Sequence, residues 1–191
     1  MVYEDKIIKE KKLYGENIED IEFIDCKFEN CVFEDCTLKN CIFNECRFIN
    51  CSISSIKSES TGIRETEFVS CNIIGINMAN FVSEGQIFEP IKSISDCFLK
   101  YCTFSGMNFV KYDFSGNIFN ECIFDECNIR SGKFNGCNLK STQYINSNLM
   151  KCDFRESTGY EIDINTNMLK DAKFSFPEVV SLLDSLEIKI Y

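Results

Sequence analysis

Large apolar residues recur at every fifth position along most of this chain. The series is plainest in the run CKFEN CVFED CTLKN CIFNE CRFIN CSISS, which covers residues 26–55. Phe, Leu or Ile fills the central position of each of these units, and each of the 13 cysteines in the chain lies two residues before such a position. The series continues to Phe174, with one extra residue near Ser93 and with misses at Ser58, Ser83 and Gly159.

A period of five fits neither a continuous helix nor a continuous strand. On a helix, five residues advance the side chain by roughly 500°, so the apolar positions would not share a face. A short extended stretch does fit, with residues i−2 and i pointing inward and i+1 and i+2 turning a corner. Repeated corners wind the chain into a coil whose backbone pairs with the coils above and below. The pattern therefore predicts a β-solenoid.

The five-residue units resemble those of the pentapeptide repeat family. The family has a small residue at i−2, often Asp or Asn at i−1, and Leu or Phe at i, as in CNIIG, YDFSG, CNLKS and CDFRE. The resemblance covers nearly all of Lys6 to Phe174. It implies an all-β fold, a right-handed quadrilateral parallel β-helix of about eight coils closed by a short C-terminal α-helix.

The pattern places the cysteines and the central residues inside the coil as a core ladder. We expect this ladder to contain Cys26, Phe28, Cys31, Phe33, Cys41, Phe43, Cys46, Phe48, Phe104, Phe109, Phe114, Phe119 and Phe124. At the same spacing of twenty residues, the wall that carries Phe104 and Phe124 continues to Tyr144 and Ile164. Because C-x₄-C spacing sends consecutive thiols to different walls, we interpret the cysteines as small core filler and not as zinc ligands or disulfides. With no apolar leader in MVYEDKIIKEKK, this predicts a cytoplasmic protein.

Two segments make up the predicted domain organisation. Residues 1–175 form the repeat β-helix, with a register break near 89–96, and residues 176–191 form a helix and a strand. Ser175 and Glu178 suggest a capping box at the start of the helix. The apolar residues of this segment are Val179, Val180, Leu182, Leu183, Leu186, Ile188 and Ile190. They either seal the last coil or, as the resemblance to Qnr and MfpA proteins implies, also pack against a second copy in a homodimer.

Acidic residues concentrate on one predicted outer wall. The chain has 30 acidic and 20 basic side chains and a net charge of −10, which argues against binding to nucleic acid or to an anionic membrane. Sorting the outward positions by a twenty-residue period collects Glu22, Asp25, Glu45, Glu65, Glu84, Asp125, Glu126 and Asp163 on one wall. The next wall is mixed, with Lys9, Lys27 and Arg47 among its residues. The acidic wall is the candidate partner-binding surface.

Catalysis has little support in the sequence. The chain has no histidine, and we find no nucleophile elbow, phosphate loop or metal-ligand cluster, so we expect no enzyme, cofactor or metal. An enzyme or metal protein that uses the stacked thiols is a remote alternative.

The family resemblance suggests a function for the acidic wall. Qnr, MfpA and AlbG proteins are DNA mimics that bind type II topoisomerases, and the segments CIFNECRFINCSISS and CDFRESTGYEIDIN are similar to the microcin immunity protein McbG. The resemblance implies DNA gyrase or topoisomerase IV as the partner, with protection against a fluoroquinolone or a peptide toxin. Qnr proteins carry projecting loops that matter for protection, and this sequence has no comparable long insertion; the irregular stretch from Phe81 to Asp96 is the one candidate substitute. A rigid interaction scaffold with no role at a topoisomerase is the other interpretation.

Overall fold

The chain forms a parallel β-solenoid. The computed structural model describes residues 1–82, 89–186 and 188. It contains two compact units, Met1–Cys102 and Thr103–Tyr191. Within each unit, short strands pair in parallel with strands one turn away in sequence, for example Phe28 with Phe48 and Phe104 with Phe124. The fold class expected from the five-residue period is confirmed, with about eight turns in all.

Four parallel sheets form the walls of the first unit. The first wall contains β1 (Val2–Glu4), β5 (Glu22–Ile24), β9 (Ile42–Asn44) and β13 (Gly62–Arg64). The second contains β2 (Ile7–Lys9), β6 (Lys27–Glu29), β10 (Arg47–Ile49), β14 (Thr66–Val69) and β16 (Ile91–Ser95). The third contains β3 (Lys12–Tyr14), β7 (Val32–Glu34), β11 (Ser52–Ser54), β15 (Asn72–Ile74) and β17 (Phe98–Lys100). The fourth contains β4 (Asn17–Glu19), β8 (Thr37–Lys39) and β12 (Lys57–Glu59), followed by the 3₁₀ helix η1 (Met78–Phe81).

The second unit has fewer named strands and more isolated bridges. Its strands are β18 (Thr103–Ser105), β19 (Ile118–Asn120), β20 (Ile123–Asp125), β21 (Asn138–Ile145) and β22 (Thr158–Ile162). Single bridges twenty residues apart continue the coils between them, such as Asn108 with Asn128 and Asp113 with Lys133. A second 3₁₀ helix, η2 (Glu178–Leu186), follows.

The corners of the coils use left-handed backbone. The residue two after the central position has a positive φ in most described units, for example 51° at Asp25, 56° at Asn30 and 53° at Asp35. Asp, Asn, Ser, Glu and Gly fill most of these positions. Short polar side chains and glycine enter this region at the least cost, so the corner chemistry of the repeat follows from backbone sterics.

The inward residues form a stacked core. All the residues of the expected core ladder are buried, and Phe28 stacks on Phe48 with ring centroids 4.6 Å apart. In the second unit Phe104 and Phe124 stack at the same distance. Aromatic stacks one coil apart add to the apolar burial that holds neighbouring coils together.

The cysteines also make hydrogen bonds that the sequence analysis did not predict. Before the register break near Ser93, thiols donate to the carbonyl of the residue 23 positions earlier, as Cys46 does to Phe23 at 3.4 Å. Just after the break, Cys97 and Cys102 donate to the carbonyls of Phe68 and Ile73, 29 positions earlier. Thr66, Thr142 and Ser147 occupy the same inward position and donate to the equivalent carbonyls. Because a buried carbonyl retains a free lone pair after strand pairing, a small donor at i−2 satisfies it. The interpretation of the cysteines as mere filler was therefore incomplete.

The twenty-residue register shifts at two places. On the second wall of the first unit, Thr66 pairs with Ile91 but Glu67 pairs with Ser93, so the strand β16 contains a bulge. In the second unit, Tyr144 pairs with Ile162, and not with Ile164 as the constant period predicted.

The expected pairing of Tyr144 is wrong because β21 has a register shift between Asn138, which pairs with Thr158, and Thr142, which pairs with Tyr160. A local turn after Ile162 then restores the period of twenty residues. The Asp163 carboxylate accepts hydrogen bonds from the backbone and side-chain amides of Asn165, at 2.8 and 3.0 Å, which makes an extra turn. Asn167 then restores the register by donating its side-chain amide to the Tyr144 carbonyl at 2.7 Å. Turn chemistry of this kind competes with the repeat and is not visible in an apolar period.

The C-terminal segment differs from the predicted one. The segment Glu178–Leu186 is a 3₁₀ helix and not an α-helix. The predicted capping box is also wrong, because both side chains bind the preceding coil. Ser175 Oγ accepts from the Glu156 amide at 3.2 Å, and Glu178 Oε1 accepts from the Gly159 amide at 2.6 Å. Of the predicted terminal strand, Ile188 lies outside regular structure, and residues 187 and 189–191 lie outside the described residues.

Candidate partner-binding surface

A column of four carboxylates runs along one corner of the first unit. Asp5, Asp25, Glu45 and Glu65 each follow a strand of the first wall by one residue. Their φ angles lie between 45° and 54°. We call these four residues the acidic column. The amide of each donates to a carbonyl in the next turn, at 2.8 to 3.0 Å, so the backbone fixes the spacing of the column. Strand pairing sets that spacing at about 4.8 Å.

The acidic column has no bonded cation. Asp5, Asp25 and Glu45 are exposed and Glu65 is half-buried, and no ion pair within 4.0 Å involves them in the part of the chain that the structure describes. The pKa of Lys92 is raised, chiefly by its hydrogen bond to Glu67 and to a smaller extent by Glu65 and Glu45. The column therefore presents uncompensated negative charge on one corner, with Lys92 at its edge.

The other residues predicted for the acidic wall do not join this column. Glu22 lies on β5 between Val2 and Ile42, so it has no acidic neighbour in adjacent turns. Glu84 lies outside the described residues. In the second unit, Asp125 pairs with Ser105 on one side and Ile145 on the other.

Glu126 and Asp163 complete the predicted set. The Glu126 amide donates to the Ile145 carbonyl at 2.9 Å, and the residues one turn away from Glu126 in the count are Gly106 and Asn146. Asp163 is half-buried and its carboxylate closes the turn with Asn165. Asp5, in contrast, belongs to the acidic column and was missed. A count of twenty residues back from Asp25 would have found it.

The neighbouring wall of the first unit is balanced by ion pairs. Lys9 contacts Glu29 at 2.7 Å, and Glu67 contacts both Arg47 at 3.3 Å and Lys92 at 2.9 Å. Exposed pairs of this kind contribute little to stability, but they neutralise the wall. The contrast with the acidic column is therefore one of net charge and not of the number of charged residues.

A column of the second unit alternates in sign. It contains Asp113, Lys133, Asp153 and Lys173, which are joined by backbone bridges. Lys133 Nζ lies 3.1 Å from Asp113, and the guanidinium of Arg155 lies 2.7 Å from Asp153 and lowers the pKa of that carboxyl to about 2. The carboxylates of this column are already in ion pairs within the protein. They therefore present less unpaired negative charge to a cationic partner than the acidic column does.

The described residues contain no cluster of His, Cys, Asp or Glu that could hold a metal ion. Burial raises the pKa of several thiols, to about 12 at Cys46, Cys137 and Cys152, so they stay protonated and are weak nucleophiles at neutral pH. No described helix is long and apolar enough to cross a membrane.

The residues predicted to cap the solenoid or form a dimer lie on η2. Val179, Val180, Leu182 and Leu183 are half-buried, and η2 packs against β22. Leu186 and Ile188 are exposed, and Ile190 lies outside the described residues. The helix thus covers the last strand and leaves part of its apolar surface open.

Comparison with known proteins identifies the repeat. The family model described as a pentapeptide repeat region matches residues 21–90. Residues 21–90 are therefore similar to a pentapeptide repeat region. This region includes three members of the acidic column, Asp25, Glu45 and Glu65, and the strands β5 to β15 that position them. No curated protein matches the chain.

Solved structures of pentapeptide repeat proteins also align with the chain. Full-length QnrB1, a plasmid-mediated fluoroquinolone resistance protein, is 17% identical over 98% of this chain and 100% of its own, with a TM-score of 0.46. HetL from the cyanobacterium Nostoc sp. strain PCC 7120, a pentapeptide repeat protein involved in heterocyst differentiation regulation, is 9% identical over 90% of this chain and 86% of its own, with a TM-score of 0.45.

Proposed function

We propose that this protein is a non-enzymatic DNA mimic that binds a type II topoisomerase, either DNA gyrase or topoisomerase IV, in the cytoplasm. The observation that carries the proposal is the acidic column of Asp5, Asp25, Glu45 and Glu65, which has one carboxylate per turn and no cation bonded to it among the described residues. In this proposal the column occupies a cationic groove that otherwise holds DNA.

The spacing of the column supports an electrostatic likeness to DNA. Adjacent backbone positions of the column are about 4.8 Å apart along the solenoid, whereas phosphates along one DNA strand recur every ~3.4 Å of helix axis. A groove lined with Lys and Arg to match phosphates meets a comparable density of negative charge on this corner. Because strand pairing holds the column rigid, little conformational entropy is lost when it binds.

The energetic cost of the column also favours a binding role. Like charges directly opposite each other on neighbouring strands destabilise a sheet. The positive φ at these corners favours Asn, Asp or Gly, and Glu45 and Glu65 are not among the residue types that this backbone conformation favours. A partner with positive charge would relieve the repulsion that the folded chain retains.

The sequence resemblance to Qnr, MfpA and AlbG proteins points the proposal toward a topoisomerase. On that resemblance, we expect the protein to modulate gyrase or to protect it against a fluoroquinolone or a peptide toxin. The resemblance also suggests a homodimer through η2, whose exposed Leu186 and Ile188 would then be covered by a second copy.

A supercoiling assay tests the proposal directly. Purified protein is titrated into DNA gyrase, with and without a fluoroquinolone, and compared with the triple variant Asp25→Lys, Glu45→Lys, Glu65→Lys. We expect the wild type to inhibit or protect the enzyme and the variant to lose the effect at least tenfold, which corresponds to ~1.4 kcal/mol of binding. The effect should also weaken as salt is raised, because exposed charges are screened.

A matched triple variant separates position from net charge. Glu10→Lys, Glu34→Lys, Asp35→Lys makes the same change in net charge at exposed residues outside the acidic column. It should retain the effect on gyrase. Equal loss in both variants would show a non-specific charge effect, and no effect of the wild type on gyrase or topoisomerase IV would favour the interaction scaffold instead.

A further inference from the structure

Ser58 interrupts the apolar column on the fourth wall of the first unit. Strand pairing sets Ser58 beside Leu38, which in turn pairs with Ile18, so Ser58 takes a position where the other turns place a large apolar side chain. Its hydroxyl donates to the Asn80 carbonyl of η1 at 3.1 Å. The side chain is thereby tied to the wall and does not fill the interior.

A cavity lies in the core at this level. Its volume is about 60 Å³, and the described side chains that line it are all apolar, including Leu38, Phe48, Ile53, Ile56 and Met78. The volume exceeds the ~10–15 Å³ that one water needs, but a water also needs two or more polar partners. The lining offers none, so an apolar occupant is favoured over water.

The cavity opens toward solvent at the same turn. Ile53, Ile56 and Ser58 are half-buried, whereas the residues one turn away in the same columns are buried, with Ile73 1%, Ile76 3% and Met78 2% exposed. The opening therefore lies beside the missing side chain of Ser58.

The size of the cavity selects the ligand. An engineered apolar cavity of about 150 Å³ admits benzene, and this one has less than half that volume. We propose that the cavity at Ser58 is a binding site for the end of an unbranched alkyl chain, with the rest of the chain left outside the opening. The site is separate from the acidic column, and it does not depend on the proposed function.

Xenon and a series of n-alkyl alcohols are suitable probes. Methyl NMR spectra recorded under xenon should shift at Leu38, Ile53, Ile56 and Met78 and stay unchanged at Leu149 in the second unit. In alcohol titrations read at the same methyl groups, affinity should rise about fourfold for each methylene that enters the cavity and then level off. Benzene should cause no shift at these methyl groups.

Three variants make the test decisive. Ser58→Leu fills the cavity and should abolish the xenon and alcohol shifts, whereas Ser58→Ala should retain them. Ser52→Leu adds the same side chain at an outward position of β11 and should also retain them. If Ser58→Leu does not fold, the pattern of shifts in the wild type and Ser58→Ala decides the question. The proposal is overturned if xenon leaves the methyl groups of these four residues unshifted, or if the shifts persist in a folded Ser58→Leu variant. It is also overturned if the affinity for alcohols does not depend on their chain length.

Discussion

At the residue scale, the inward position i−2 does more than fill space. Cys46 is fully buried and donates to the Phe23 and Asn44 carbonyls, at 3.4 and 3.5 Å. Serine and threonine make the same bonds elsewhere in the solenoid, as Ser147 and Thr142 show. The position therefore selects a small side chain that can donate a hydrogen bond. Of the three residue types that do so here, cysteine is the least polar.

Replacing Cys46 separates the two roles. Cys46→Ala removes the donor and leaves the Phe23 carbonyl under-satisfied, so we expect a loss of ~1–2 kcal/mol in the free energy of unfolding. Cys46→Ser retains a donor and should lose less. Urea denaturation of the three proteins measures the difference. An alanine variant at least as stable as the serine variant would show that volume alone matters at this position.

The corner residues of the acidic column lead to a second prediction at this scale. Glu45 has a φ of 54° and lies between Asp25 and Glu65 in adjacent turns. Glu45→Asn should raise the stability by ~0.5–1 kcal/mol, because Asn tolerates positive φ better and the repulsion is removed. Glu34→Asn on the strand β7 is the control and should give no gain. Thermal melts at low salt provide the readout, and a destabilised Glu45→Asn would contradict this account.

At the scale of the element, the C-terminal segment binds backbone amides of the preceding coil, as a cap would. Strands at the end of a solenoid have backbone groups without a further coil to pair with, and these need other partners. Ser175 and Glu178 supply acceptors for the amides of Glu156 and Gly159. The same two residues suggested a helix capping box in the sequence, because that motif is defined by spacing and not by what lies nearby.

Glu178 provides the test of this cap. Glu178→Ala should remove the acceptor of the Gly159 amide and cost ~1–2 kcal/mol. Glu178→Gln retains an oxygen there and should cost less. Hydrogen exchange measured by NMR should show the Gly159 amide losing protection in the alanine variant and keeping most of it in the glutamine variant. Unchanged protection in the alanine variant would mean that the helix itself covers the strand.

At the scale of the whole molecule, the buried thiols couple stability to pH. Burial is the main cause of the raised pKa at Cys46, Cys137 and Cys152, where it reaches about 12 against an ordinary value of 9.0. A raised pKa means that the folded state holds its protons where the unfolded state has released them. Stability is therefore complete below pH ~9 and falls between pH ~9 and 12.

Thermal melts between pH 7 and 10.5, in the presence of a reducing agent, measure this dependence. We expect a flat melting temperature up to pH ~9 and a progressive fall above it. The fall should be smaller in a variant with Cys46→Ser and Cys137→Ser, since hydroxyl groups do not titrate in this range. An equal fall in the variant would assign the alkaline sensitivity to lysine and tyrosine side chains.

The sequence by itself determined the solenoid, its core and the columns of the first unit. The five-residue period places the central residues in the core, and the four units per turn that the family resemblance implies then set Phe28 on Phe48 and put Asp25, Glu45 and Glu65 at one corner. Only the tertiary structure decided where the period fails. The turn at Asp163 and the bond from the Gly159 amide to Glu178 depend on particular polar side chains, and the bulge in β16 and the cavity beside Ser58 depend on how neighbouring turns pair and pack. A periodic apolar pattern carries no information about either.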